Sequence, residues 1–360
     1  MAALPRPEGD AVSAAILRAD GSSSIGMGHV MRCVAFAEAL RAQGVTPIFV
    51  TRAGEDGPVE LLRSGGVIVE ELAADAHGED DARFTAKIAV AHGARLVVTD
   101  LCHWDALREP ETLRAAHAML DDDHVVVALT GGRLVDLPAT LVVAPYVHVP
   151  ESPDVHVLAG PKYFIFRRAF VQAAARPREI VRNAQRVLVT MGGSDPAGLT
   201  PTILRALRDV GEGRLAVHVV IGPRFQEEVR RAIHERAAEL GDRCTLLSHD
   251  ADLAGAMLWA DLAITADGFT RYETAVTGTP SLTLELPGSD PALNAIFATA
   301  GTTHAVPDAV RLEPAAVAAL VRSLLRDRDR RREMSLRGKD LLDGRGLERI
   351  FAALPEGALS

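Results

Sequence analysis

The sequence predicts an α/β fold with two doubly wound domains, and three observations carry that prediction. Short runs of Val, Ile and Leu alternate with amphipathic helical stretches along almost the whole chain, the pattern of repeated βαβ units. The runs mostly lack polar alternation, as parallel strands covered on both faces do. The series also pauses near the middle and then begins again.

In the first half the strand candidates are Ala14–Leu17, Pro47–Val50, Leu96–Thr99, Val125–Leu129 and Thr140–Val143. In the second they are Arg186–Thr190, Ala216–Ile221, Thr245–Leu247, Leu262–Thr265 and Ser281–Leu284. Between them, Val30–Gln43 repeats Val30, Cys33, Val34, Ala37 and Leu40 at helical spacing, and Gln226–Leu240 sets Val229, Ile233, Ala237 and Leu240 on one stripe. The pause at Phe170–Asn183 is polar and carries Pro177, which marks a seam. The expected organisation is a Rossmann-like domain over 1–172, a second over 173–345, and a C-terminal helix over 346–360 that closes the fold. The two domains should face each other across a cleft, with ligands at the C-terminal ends of the strands.

Composition narrows the function classes. The chain has 360 residues, 48% hydrophobic and only 4% aromatic, so its cores rest on Ala, Val, Leu and Ile. A net charge of −9 argues against a nucleic-acid face, which needs a basic surface. A small anion is still admissible, because helix-start N–H groups hold phosphate without one. Cys33, Cys102 and Cys244 form neither a disulfide framework nor a metal-ligand pattern, so a reducing cytoplasmic setting with no metal is expected. The N-terminal "MAALPRPEGDAVSA" lacks the apolar run of a signal peptide. No segment reaches the roughly eighteen apolar residues of a membrane span.

Four stretches have the residue types chemistry needs. "ILRADGSSSIGMGHVMRC" runs from a strand through a Gly- and Ser-rich turn into a helix. It delivers Arg18 and Asp20 to the strand end. Gly26 and Gly28 allow close backbone approach, and His29 lies in the first helical turn, where the dipole disfavours an imidazolium. A neutral imidazole there can take a proton from water or a hydroxyl; spacing alone equally allows a tight turn and a helix start. "VLVTMGGSDPAGL" ends a strand in Gly192–Gly193, with Ser194 and Asp195 placed to cap a helix starting near Pro196. It reads as a nucleotide-side loop or as an ordinary capped turn. "LAITADGFTRYETAVTGTP" offers amides near Gly268–Thr270 for a phosphate and Glu273 for ribose hydroxyls, unless Glu273 is merely a solvated helix carboxylate. "LAGPKYFIFR", with Tyr163, is a rigid hinge or a ligand-contacting loop.

Together the motifs "RADGSSSIGMGHVMRC", "GPKYFIFR", "VTMGGSDPAGLT", "DLAITADGFTRYETAVTGTPSL" and "LLDGRGLERI" span residues 16–352. In that order they resemble the nucleotide-sugar hydrolases of pseudaminic acid biosynthesis and their spore-coat polysaccharide relatives. Members of that family act on UDP-2,4-diacetamido-2,4,6-trideoxy-β-L-altropyranose. The resemblance implies a glycosyltransferase-B fold, with the nucleotide on the C-terminal domain and the sugar at the cleft. It implies that His29 is the base on a water attacking the anomeric carbon, with release of UDP. Gly268, Thr270 and Glu273 then contact diphosphate and ribose. Arg18, Asp20, Gly26, Gly28, Arg32, Asp100, Tyr163, Gly192, Gly193, Phe269 and Asn294 complete the substrate set. No cofactor, no metal, no nucleic acid and a monomer or weak dimer are expected.

The departures bear on the sugar. The family follows the strand ending in Asp100 with Ser-Tyr, whereas this chain has Cys102, His103 and Trp104 nearby. A paired aspartate after the next strand is replaced by Thr130–Gly131, a double glycine by Asp267–Gly268, and a small residue by Phe269. An Asp267 carboxylate beside a diphosphate is unfavourable unless it points away. Of an acidic-Asn-Gln run only Asn294 matches. The alternative to hydrolysis is an inverting glycosyltransferase, in which the same base serves an acceptor hydroxyl or amine. A silent nucleotide-sugar-binding subunit is the third reading, and it fits an intact GxGH motif least.

Overall fold

The computed structural model describes residues 13–22, 27–54, 57–101, 110–130, 136–146, 156–210, 214–248 and 251–360. Its contacts divide the chain into two units, which break after Arg167 and again after Gly344.

In the first unit β1 (Ala14–Ala19) leads through α1 (Gly28–Ala42) to β2 (Thr46–Arg52), α2 (Val59–Ser64) and β3 (Ile68–Leu72). There follow α3 (Glu79–His92), β4 (Leu96–Asp100), α4 (Pro110–Asp121), β5 (Val125–Leu129), β6 (Leu141–Ala144) and β7 (Val157–Ala159). The strands form one parallel sheet in the order β3-β2-β1-β4-β5-β6-β7. Because successive side chains alternate faces, β1 feeds two cores. Ala15, Leu17 and Ala19 pack with Phe36 and Leu40 of α1, while Ile16 packs with Ile48, Val97 and Val126 on the other face. Each such fully buried Leu or Ile is worth about 1.5–3 kcal/mol.

The second unit runs α5 (Arg168–Ala174), β8 (Arg186–Thr190), α6 (Thr200–Arg208), β9 (Ala216–Val220), α7 (Glu227–Leu240), β10 (Cys244–Leu247), α8 (Leu253–Trp259) and β11 (Leu262–Ala266). It continues with α9 (Thr270–Val276), β12 (Ser281–Leu284), α10 (Pro291–Ala300), β13 (Thr303–Val306), α11 (Pro314–Arg326) and α12 (Arg328–Leu341). Its parallel sheet has the order β10-β9-β8-β11-β12-β13. In both sheets the order reverses beside the first strand, between β1 and β4 and between β8 and β11. Those switch points are where open α/β sheets leave a crevice at the strand C-termini.

Arg345–Ser360 return to the first unit. There α13 (Gly346–Ala352) buries Ile350 in the β1 core and sets Phe351 edge-on to Phe36, with ring centroids 5.2 Å apart. Gly346 is required: a Cβ there would meet the Phe164 carbonyl oxygen at 2.2 Å.

The α/β expectation holds, and every strand candidate is a strand within two residues at either end. The sequence pattern missed β3, β7 and β13, all at sheet edges. Edge strands are covered on fewer sides, so their apolar runs are diluted; "IVEEL" of β3 carries two glutamates. One helix start is corrected. α6 begins at Thr200, not near Pro196, because Asp195 adopts φ 43° and its carboxylate accepts from Leu199 N and Thr200 N, both at 2.9 Å.

Candidate active site

At the switch point of the first unit, α1 begins at Gly28 just past the loop after β1, and β4 ends in Asp100. His29 and Arg32 are three residues apart on α1 and therefore share a face. Both reach Asp100. Its Oδ1 lies 2.8 Å from His29 Nδ1 and 2.7 Å from Arg32 Nη2, and its Oδ2 accepts from Arg32 Nε at 2.7 Å. Asp100 is completely buried. Burial opposes its ionisation, but Arg32 and His29 outweigh that and pull the carboxyl down to about 2.

An ionised carboxylate only accepts, so the proton between His29 and Asp100 sits on Nδ1. The 3.5 Å approach of Arg32 Nη2 to the same nitrogen is then two donors converging on Oδ1, not a bond between them. With Nδ1 protonated, Nε2 is the basic nitrogen, on a side chain 21% exposed. A buried carboxylate that fixes the tautomer and orientation of a histidine base is the logic of hydrolytic triads.

The fourth member escaped the sequence reading. Arg32 Nη1 donates to the Tyr146 hydroxyl, and the guanidinium carbon lies 5.2 Å from the Tyr146 ring centroid. Tyr146 in turn packs edge-on to Phe164 at 5.9 Å. It stands two residues beyond β6, at a strand C-terminal end, and that position was the available signal.

The other expected residues divide clearly. Arg18 is fully buried and does not present its guanidinium to a ligand. Its Nε and Nη2 donate to Asp81 at 2.8 and 2.5 Å, and its Nη1 and Nη2 to Asp20 at 2.5 and 2.8 Å. Burial works against that charge, yet Asp81 and Asp20 raise the guanidinium above its ordinary value. Arg18 and Asp20 thus pin the end of β1 to α3. Gly28 is exposed at the start of α1. Tyr163 is half-buried on a 3-10 turn, beside the core and Lys162, and among the described residues it makes no hydrogen bond to His29, Arg32 or Asp100. Gly26, Cys102, His103, Trp104 and Gly131 lie outside the described residues. Thr130 is buried at the end of β5.

In the second unit, Gly192 and Gly193 are exposed after β8, and Gly192 has φ 70°. The turn is braced from β9: a Cβ on Gly222 would meet Gly193 O at 2.4 Å, and Arg224 N donates to that same oxygen at 2.9 Å. Across the switch point, Gly268 and Phe269 are exposed, Thr270 is buried and Glu273 is half-buried. Asp267 points away from this turn: its Oδ2 accepts from Asn294 Nδ2 at 3.2 Å and from Leu286 N at 3.3 Å. Asn294 is itself buried and also accepts from Arg271, so it bridges two charged groups behind the turn and does not line it. Among the described residues no three His, Cys, Asp or Glu side chains group to hold a metal ion, and no helix is long and apolar enough to cross a membrane.

Comparison with known structures fits this architecture. The MurG protein of Acinetobacter baumannii superposes with a TM-score of 0.64 at 15% identity, covering 95% of this chain and 99% of that one. The fold is that of the glycosyltransferase-B class. A UDP-GlcNAc 2-epimerase from Neisseria meningitidis, solved with UDP-GlcNAc bound, shares this fold at TM-score 0.62 and 11% identity, over 94% of this chain and 98% of that one. By sequence the chain is 24% identical over 352 residues to the spore coat polysaccharide biosynthesis protein SpsG of Bacillus subtilis, spanning 94% of this chain and 96% of SpsG. An uncharacterized protein of Methanocaldococcus jannaschii is 26% identical over 278 residues; the match covers 74% of this chain and only 54% of that protein's length. No family model matches the chain.

Proposed function

We propose that this glycosyltransferase-B-fold chain is an enzyme acting on a nucleotide-activated sugar, and specifically a hydrolase of a UDP-linked amino or deoxy sugar. The observation that carries the reading is the Asp100-oriented His29, with Nδ1 held at 2.8 Å and Nε2 left as the base. In the reaction Nε2 takes a proton from water as the water oxygen bonds to the anomeric carbon. The bond from that carbon to the diphosphate oxygen breaks, its electron pair leaves with UDP, and the configuration inverts. Asp100 keeps the Nδ1 proton throughout and stabilises the imidazolium that forms; Arg32 keeps Asp100 ionised. Amides of the Gly192–Gly193 and Gly268–Thr270 turns hold the diphosphate and Glu273 meets the ribose. The nucleotide-bound epimerase and the polysaccharide biosynthesis role of SpsG support the substrate class.

A base of this kind serves an acceptor hydroxyl as well as water. The likeness to SpsG, a polysaccharide biosynthesis protein, favours transfer as the second reading. The test is release of free nucleoside diphosphate from a panel of UDP-, CDP- and GDP-linked amino and deoxy sugars without acceptor, with His29→Ala alongside. His29-dependent release supports the hydrolase. Donor binding without release, reversed by adding a saccharide acceptor, replaces it with the transferase.

A further inference from the structure

We propose that the second unit carries a separate binding site for a small phosphorylated ligand, formed by Arg182, Arg214, Arg322 and Arg326. These side chains line a cavity of about 640 Å³, within the size range of small-molecule sites. They come from three places. Arg182 lies in the segment entering β8, Arg214 in the segment entering β9, and Arg322 and Arg326 one turn apart on α11. The cavity is therefore at the N-terminal edge of the sheet, one strand length (roughly 15 Å) from the Gly192 and Gly268 turns.

The charge pattern calls for an anion. Among the described residues none of the four guanidiniums has a carboxylate within ion-pair distance, and four such groups converge on one cavity. Asp209 also lines the cavity, but its carboxylate is held by Arg208 Nε at 3.2 Å, and the nearby Asp327 accepts from Arg330 N at 2.9 Å. Arg322 and Arg326 are a like-charged i,i+4 pair, an arrangement that works against its own helix. The α11 dipole favours Arg326 at the helix end but recruits neither Arg182 nor Arg214. All this occurs in a chain of net charge −9. Val210, Leu215 and Leu325 form a buried apolar floor, which lowers the local dielectric and strengthens a charge held above it. Guanidinium forks match phosphate oxygens in pairs, so phosphate is the anion this set of arginines suits best.

The test uses the full chain and two double variants, Arg322→Gln with Arg326→Gln and Arg182→Gln with Arg214→Gln, all exposed positions. Inorganic pyrophosphate is titrated calorimetrically at low salt. Flotation with phosphatidic acid–phosphatidylcholine vesicles, against phosphatidylcholine alone, separates a lipid headgroup from a free phosphate. The expected result is binding of one probe by the native chain, weakened at least tenfold in both variants, with unchanged thermal midpoints in the absence of ligand. Loss on the vesicle arm alone assigns the phosphate to a lipid. No binding of either probe, or equal binding by native chain and variants, overturns the proposal.

Discussion

Replacing Asp100 by Asn separates a positioning carboxylate from a substrate contact. The native carboxylate accepts three hydrogen bonds, one from His29 and two from Arg32, at 2.7–2.8 Å with no exposure to water. Asn offers one accepting oxygen and one donating NH₂ in the same volume. With the NH₂ in the Oδ1 position, the oxygen keeps only the bond from Arg32 Nε, and the NH₂ faces His29 Nδ1, which must then accept, so the ring proton moves to Nε2. The base is lost although the geometry is kept, and kcat should fall by about 10²–10⁴. Arg32 also loses its buried counter-charge, so stability should drop by roughly 3 kcal/mol, the lower end for a broken buried pair. The assay is UDP release from the accepted donor together with a urea unfolding curve. Since Asp100 is completely buried behind His29 and Arg32, out of reach of a substrate, KM should stay within about threefold. A folded Asp100→Asn enzyme with kcat within tenfold of native, or one whose loss lies mainly in KM, would refute the reasoning.

The same carboxylate sets an acid limit. Its ordinary value of 3.8 is lowered to about 2 in the fold, so it contributes about 2 kcal/mol above pH 3.8, which is lost as pH falls toward 2. The urea midpoint of the native chain should therefore decline through this window more steeply than that of Asp100→Asn. Gly222→Ala should shift the Gly192–Gly193 turn, because the new Cβ would lie 2.4 Å from Gly193 O; a loss of about 1–3 kcal/mol with weaker nucleotide binding is expected, read by thermal shift with UDP. Asp195→Ala removes the acceptor of two N–H groups at the start of α6 and should cost about 1–2 kcal/mol in the unfolding curve.

Interior strands were legible because both faces are covered and successive positions are apolar, as in "VLV" of β8. Edge strands were not, and neither were long-range partners. His29 stood out from its GxGH setting and Arg32 from the helix it shares. Yet Asp100 lies 71 residues from His29, and only the parallel pairing of β1 with β4 brings the two ends together. Tyr146, 114 residues from Arg32, had only its place after a strand to announce it. Asp81 was hidden differently: within "EDD" at the start of α3 it looks like one of three dipole-complementing acids, and only its burial shows that, of the three, it is the one that joins Asp20 in holding Arg18. Asn294 misled in the opposite sense, because a polar residue matching a motif gives no sign of whether it faces a ligand or braces its neighbours.

The return of α13 to the first unit also sets an order of events during synthesis. Phe36 and the β1 core are covered by Ile350 and Phe351, which leave the ribosome only after the roughly 180 residues of the second unit. At about 5–20 residues per second that is a delay of roughly ten to forty seconds. Through that interval the earlier-made half displays an apolar groove with no partner, while the later-made half is contiguous and can consolidate at once. The half translated first is thus the last to be finished.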